Sequence, residues 1–504
     1  MLALSSRREA FYERIQELQA LGAAQALGHW DMQTHMPSQA ANTRAQTLSA
    51  LGALAHERLT DPAFGDAIQA LLDTPSDDAT ETALLAEMAY RRNRALSVSP
   101  QWVRQFETAS ARGYGIWADA RRDNDFAAFL PALQELVTLS RQRAEILSET
   151  ASGGNLYDAL LEDYERGATV AEIDPLFDAL HQELVPLAAQ IADQQQPEPD
   201  CFEGKSFDLT VQTAFCRETL TAMGYDFTRG RMDASAHPFT TEIGGRNDVR
   251  LTIRSTTAHP LESVFTALHE GGHALYEQGV DPALADSPLG TGTSLGIHES
   301  QSRLWENAVG RSAAFWRHFY PRLQAVFPQA LGDVDEDVFL RRVNRVTPSL
   351  IRTEADEVTY NLHILLRYRL EKALISGSLA PAEIPEAWNA GMTEFLGVEA
   401  PNDAHGCLQD VHWSGGSFGY FPTYTLGNLY AAQFYHTARQ QMPDLDARLS
   451  QGDLLTLKNW LNQHIHVFGK TRTAQALALS VTGEALSPQY FLDALRQKYL
   501  SGAV

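Results

Sequence analysis

Cysteine is nearly missing from this chain: Cys201, Cys216 and Cys407 are the whole supply among 504 residues. Three scattered thiols cannot build a disulfide framework or a cysteine-rich metal site, and a reducing cytoplasm is the compartment expected. Positive charge is short as well. Lys and Arg number 40 against 63 Asp and Glu, for a net charge of −23. An acidic surface of this size repels phosphate backbones and anionic lipid, so neither nucleic acid nor membrane is expected as a partner. No apolar run approaches the roughly 18 residues a membrane helix needs. The opening residues meet charge at Arg7 without the apolar stretch of a secretory signal. Internal repeats and low-complexity tracts are absent too. What is left, 44 % hydrophobic, is an ordinary globular composition able to bury a large core.

Most of that composition is arranged at helical spacing. Segment 7–29 places Phe11, Ile15, Leu18 and Leu21 on one face, and 80–95, 127–150 and 171–194 read alike. Pro37, Pro100, Pro131, Pro175 and Pro186 are expected at starts, stops or first-turn positions. Gly153-Gly154 and the stretch 195–201 are turn-rich breaks, the second a candidate boundary between two lobes. One segment differs. From Asp248 to Arg254, apolar Val249, Leu251 and Ile253 alternate with polar neighbours, the period of a half-buried strand. The fold class expected is mainly α with at least one small sheet.

The chemistry concentrates in PLESVFTALHEGGHALYEQG, residues 260–279. Pro260 suits a helix start and Gly279 a helix end. Leu261, Val264, Phe265, Leu268 and Leu275 form a single core-facing stripe. Within it stands His269-Glu270-Gly271-Gly272-His273. Imidazoles four apart lie one above the other on a helix and reach one ion, while Glu270 is placed to bond a water held there. With 16 histidines in the chain, chance would produce such a motif roughly 0.03 times. Two glycines inside a helix cost on the order of 1 kcal/mol each relative to alanine, so close packing against something, such as a strand or substrate, is expected there. A catalytic zinc also needs a third ligand. His298, Glu299 and Glu306 are the candidates in HESQSRLWENAVGR, residues 298–311. Glu299 lies 26 positions beyond His273, a spacing that favours it while leaving the other two open. No H-x-x-G-x-x-H continuation follows the first motif, which argues against three-histidine peptidases.

Several blocks in order carry a resemblance. They are HPF at 237–239, DVRLT at 248–252, HEGGH at 269–273, HESQSR at 298–303, IRTEADEVTYNLH at 351–363 and GCLQDVHW at 406–413, which runs into SFGYFPTYTLG at 417–427. HWDMQTHMP at 29–37 adds an N-terminal block. With these the chain resembles the carboxypeptidase Taq family of zinc metallocarboxypeptidases. The resemblance implies a large, nearly all-helical zincin-type fold with a long substrate groove and a small β-sheet beside the His-Glu-x-x-His helix. It implies one catalytic domain over 1–504, with a helical lobe 1–200 covering the groove and a catalytic lobe 201–504. The activity implied is removal of single residues from free peptide C-termini with broad specificity, by a homodimer. Zinc is the implied metal, with cobalt as a substitute. Carried over, His269, His273 and Glu299 are the ligands and Glu270 the general base.

Other roles are argued from residue chemistry. Tyr424 is the first choice to stabilise the oxyanion, with Tyr420 and His412 next; the alternative is that these are packed aromatics and a core histidine. Arg352, favoured by the resemblance, would clamp the substrate carboxylate, with Arg250 second; either could instead be ion-paired, Arg352 with Glu354 or Asp356. Tyr420 is a further substrate contact. Asp248 could orient Arg250 or a ligand histidine, and the strand 248–254 could pair with extended substrate or be internal. The competing readings are a zinc endopeptidase or dipeptidyl carboxypeptidase of similar architecture, and a non-catalytic peptide-binding protein, against which Glu270 argues.

Overall fold

A computed structural model describes residues 2–74, 76–148, 154–195 and 198–501 of the chain. The periodic segments are helices close to where their apolar spacing puts them. They are α1 (Leu2–Thr34), α2 (Ala41–Thr60), α3 (Pro62–Leu72), α4 (Ala79–Ser97), α5 (Pro100–Asp123), α6 (Phe126–Ser148), α7 (Leu156–Leu161) and α8 (Val170–Gln194). Caps set several starts. Ser99 accepts from the Trp102 N–H at the head of α5, where Pro100 takes the first position, and Thr169 with Glu172 forms a reciprocal capping box on α8. Three prolines depart from expectation: Pro131 lies inside α6, and Pro175 and Pro186 inside α8. Each removes a backbone donor, but buried Leu133 and Leu136 in α6, and Leu184 and Leu187 in α8, hold the helices against the core. Tertiary packing outweighs the local penalty. The breaks at 153–154 and 195–201 fall partly outside the described residues; α6 and α8 end just before them.

One continuous core runs from Trp117 to Leu495. A smaller one joins Phe11 and Ile15 of α1 and Phe64 of α3 with Leu84 of α4 to Val280, Leu284 and Leu289. After α9 (Leu209–Met223) come three short strands. In the sheet, β3 (Val249–Ile253) is central, with β1 (Met232–Ala234) parallel on one side and β2 (Thr240–Glu242) antiparallel on the other. Val249, Leu251 and Ile253 are buried, as period two requires, but so is Thr252, whose hydroxyl meets Ser235 Oγ at 2.7 Å and accepts from the Phe239 N–H at 3.0 Å. Both edges of β3 are filled, so it is internal. The open edge beside the next helix is that of β2.

That helix is α10 (Leu261–Gly279). Instead of one apolar stripe it is buried on almost every side, because the sheet, α9 and α11 (Leu295–Arg303) enclose it. The two glycines are closely packed, as expected, and what they meet is neighbouring helices. A Cβ on Gly271 would stand 2.5 Å from Leu220 Cδ2 of α9, and one on Gly272 only 2.4 Å from the Gln301 carbonyl oxygen of α11. α11 is anchored at its start by Glu165, which accepts from the Ser294 hydroxyl at 2.9 Å and the Gly296 N–H at 2.8 Å. A π-helical turn, Leu304–Val309, continues α11 directly. Among the described residues no helix is long and apolar enough to cross a membrane.

Candidate metal centre

α10 carries His269 and His273 on successive turns, and α11 brings Glu299 across from them. One donor atom from each of the three lies within 4.8 Å of the other two. Glu299 Oε2 is 3.7 Å from His269 Nε2 and 3.5 Å from His273 Nε2. A tetrahedral ion with bonds near 2.0–2.1 Å places its ligand atoms about 3.4 Å apart. Two imidazole nitrogens and one carboxylate oxygen at this spacing therefore fit a divalent cation with one position left over. Packing makes the approach possible: Gly427, in the helix Pro422–Gln441, lies where a Cβ would stand 2.5 Å from Glu299 Cγ.

The electrostatics suit the same reading. Burial holds the His273 imidazole down to about 4, keeping it neutral with a lone pair to offer. Burial opposes charge on His269 as well, but the Glu299 and Glu306 carboxylates outweigh it and raise its pKa, so protons and a cation compete for this ring. Glu299 is buried, which alone would raise its pKa; Arg303 above all, then the two histidines, hold it far below the usual carboxylate range. Arg303 Nε donates to Glu299 Oε1 at 2.7 Å, and its Nη1 donates to Glu306 Oε2 at 3.0 Å.

The three residues left open as third ligand have separate places. Only Glu299 joins the histidine pair. Glu306 Oε2 lies 2.8 Å from His269 Nδ1. His298 Nδ1 lies 2.6 Å from His273 Nδ1, and its Nε2 is 2.7 Å from Glu277 Oε1. Glu270 is 6 % exposed, and burial raises its pKa against the partial relief of His269 and Thr240. Thr240 Oγ1 of β2 stands 2.8 Å from Glu270 Oε2 and 2.9 Å from its carbonyl oxygen.

A second group is brought to the Glu299 side by the Pro422–Gln441 helix. Tyr424 lies one turn before Gly427. Its hydroxyl is 3.3 Å from His412 Nε2, and the Tyr420 ring packs 5.3 Å from its own. Burial raises both phenols, so they stay protonated donors. Burial, opposed by Asp410, lowers His412 to about 4 and keeps it neutral. Its Nδ1 has no partner among the described residues, which suits a bare nitrogen. The proton then belongs on Nε2, donated to the Tyr424 oxygen, so the Tyr424 hydroxyl hydrogen points away from His412.

Arg352 is buried beside this pair, its guanidinium carbon 5.1 Å from the Tyr424 ring centre. Its ion-pair partner is Asp410 at 2.9 Å, rather than Glu354 or Asp356, and its Nη1 donates to Tyr360 Oη at 3.0 Å. Asp410 also accepts from Arg367 Nε at 2.6 Å. Arg303 lies 4.4 Å over Tyr360, so contacts run unbroken from Glu299 to Arg352. Arg250 is elsewhere. Its Nε and Nη2 donate to the two Asp248 carboxylate oxygens at 2.7 Å, and it stacks 4.7 Å from Trp30 of α1. Asp248 thus orients Arg250, not a ligand histidine.

Reading the sequence missed Thr240, Glu277, Arg303, Tyr360, Asp410 and Arg367. Arg303, Tyr360 and Asp410 sit inside quoted blocks, a signal that was available. Glu277, one turn beyond His273, was reachable by helical spacing. Thr240 was not, since its role depends on where β2 meets α10.

Comparison with known proteins follows the same lines. Residues 10–499 match the carboxypeptidase Taq (M32) metallopeptidase family. The chain is 41 % identical to thermostable carboxypeptidase 1 of Thermus thermophilus, over 97 % of this chain and 98 % of that protein. It is 34 % identical to carboxypeptidase 1 of Bacillus subtilis, over 99 % of each. The crystal structure of an M32 carboxypeptidase from Deinococcus radiodurans R1 superposes with a TM-score of 0.95 at 38 % identity, covering 98 % of this chain and 99 % of that one.

Proposed function

This chain belongs to the carboxypeptidase Taq (M32) metallopeptidase family, and from that premise we propose a residue-level account of how it removes amino acids from peptide C-termini. It is a metal-dependent carboxypeptidase that releases single C-terminal residues. The observation that carries the account is the convergence of His269, His273 and Glu299 within one ion's reach, with Glu270 buried next to them.

His269, His273 and Glu299 hold the divalent cation, zinc in this reading, with cobalt able to replace it. When bound, the cation polarises the scissile carbonyl and lowers the pKa of a water towards about 7. Glu270 takes the proton of the attacking water and passes it to the departing amine. Thr240 restrains its carboxylate plane. Tyr424, oriented by His412, donates a hydrogen bond from its hydroxyl to the developing oxyanion, and Tyr420 lines the substrate side. Arg352 reads the free carboxylate. Asp410 takes its Nε and Nη2 and Tyr360 its Nη1, leaving the second hydrogen of each Nη for the ligand. Arg352 lies beside Tyr424 while Arg250 pairs with Asp248 and stacks on Trp30, which supports Arg352 as the clamp. Hydrogen bonds from the outer edge of β2 to the substrate backbone support broad side-chain tolerance. The lobe 1–200 covers the groove of a single catalytic domain, a reading supported by two cores that each join residues on both sides of position 200. A homodimer in the cytoplasm accords with the family resemblance and with three unpaired thiols.

Mass spectrometry of a digested peptide with a free C-terminus tests the reaction. A ladder losing one residue per step is expected, abolished by a chelator and restored by added zinc. Two-residue steps or internal cuts would move the chain to the dipeptidyl-carboxypeptidase or endopeptidase reading. The clamp is tested by C-terminal amidation, which should lower kcat/KM by about 10²-fold, the scale of one lost charged hydrogen-bonded contact; equal cleavage of both forms would remove Arg352 from this role. Tyr424→Phe should lower kcat by about 10²-fold with little change in KM. An unchanged kcat would pass the donor role to Tyr420 or His412.

A further inference from the structure

The two ligand histidines are supported in different ways. His269 meets a carboxylate directly, with Glu306 Oε2 2.8 Å from its Nδ1, the common arrangement behind a metal-ligating imidazole. Behind His273 an imidazole is interposed. Its Nδ1 lies 2.6 Å from His298 Nδ1, and His298 Nε2 lies 2.7 Å from Glu277 Oε1. Two nitrogens can bond only if one carries a proton and the other a lone pair. With the lone pair of His273 Nε2 facing the ligand cluster, its proton sits on Nδ1. His298 then accepts at Nδ1 and donates at Nε2 to Glu277, and every donor points outward from the centre.

The surroundings hold this chain rigid. Glu277 is 3 % exposed, and its Oε1 also accepts from the Thr291 hydroxyl at 2.8 Å and the Gly292 N–H at 3.2 Å. The His298 ring packs 5.1 Å from Tyr276, and a Cβ on Gly292 would stand 2.6 Å from His298 Cδ2. The half-buried carboxyl of Glu242, on β2, is near enough to feel the charges of Glu277 and His298. α10 thus carries two ligands and the carboxylate that closes the chain, while α11 carries Glu299 and the imidazole behind a ligand on α10.

We propose that His298 and Glu277 form a positioning relay that fixes the tautomer and orientation of His273 and so sets how tightly the centre holds its cation. The proposal rests on the metal-centre reading above. The test is zinc affinity of the purified full-length chain, measured by competition with a chromogenic chelator, with circular dichroism as the check on folding. Glu277→Gln and His298→Ala should each weaken zinc binding about 10–100-fold. The double variant should lose no more than His298→Ala alone, because Glu277 acts through His298. His298→Asn, whose side-chain carbonyl still accepts from His273, should recover part of the loss; it and Glu277→Asp carry the test if either first variant does not fold. Affinity within twofold of the parent in both single variants would overturn the relay, as would additive losses in the double variant. A parent chain that takes up no zinc would overturn the metal-centre reading itself, and the relay with it.

Discussion

Replacing Glu270 by glutamine is expected to lower kcat by about 10²–10⁴-fold, the range supplied by a positioned general base, while the protein still takes up its metal. The substitution is close to isosteric. The side-chain carbonyl of glutamine still accepts from Thr240, which stands 2.8 Å from Glu270 Oε2, and neither His269 nor His273 loses a partner. What disappears is the capacity to accept a proton from water and return it to the amine. The burial that raises the Glu270 pKa makes its carboxylate a stronger base than an exposed one, so the loss should fall at the upper part of the range. The measurement is kcat on a free-C-terminus peptide beside metal content by elemental assay. Full turnover in a metal-loaded variant would remove Glu270 from the reaction; loss of metal along with turnover would give it a structural role instead.

Asp410→Ala is expected to destabilise the protein by about 3–5 kcal/mol, the cost of breaking a buried charge pair from one side. Asp410 lies between two guanidiniums, Arg352 at 2.9 Å and Arg367 at 2.6 Å, and the Arg367 side chain is fully buried. Without the carboxylate, Arg367 keeps only neutral acceptors, the His363 carbonyl and Gln409 Oε1, both at 2.8 Å. Arg352 would also lose the partner that orients it, so discrimination between free and amidated peptides should shrink together with stability. Urea unfolding measures the first effect and the ratio of kcat/KM values the second. Asp410→Asn, which keeps an acceptor, should cost less. A change below about 1 kcal/mol in Asp410→Ala would mean that water replaces the carboxylate. The pH dependence has a definite sign. Burial would raise the Asp410 pKa, but the arginines hold it far below the usual range. Its contribution is therefore complete above an unfolded value near 4 and fades only as pH falls towards the lower native value.

The parts of the candidate site that were legible in the sequence are those carried by one helix. Residues four apart must share a face, so His269 and His273 could be paired, and Glu270 placed beside them, with no knowledge of the rest of the chain. Spacing became weaker at the second helix. His298, Glu299 and Glu306 were all plausible as the third ligand, because a count of intervening residues does not say how α11 is rotated against α10. That rotation is set by Gly272 on one side and Gly427 on the other, where backbone meets α11 with no room for a Cβ. The strand 248–254 shows the same limit. Its alternation identified a strand, but whether its edges were open depended on β1 and β2, which are too short to announce themselves.

Composition and period alone settled the class of this protein: mainly helical, strongly acidic, poor in thiols, with a paired-imidazole motif on one amphipathic helix. These follow from local geometry and from sums over residues, and neither depends on how distant segments meet. The partners of Arg352 and Arg250, the support behind each histidine and the orientation of Tyr424 by His412 belong to the tertiary structure. Each joins residues on different elements, and which side chains come within 3 Å across such a gap is decided by packing of the core, where every contact depends on the others.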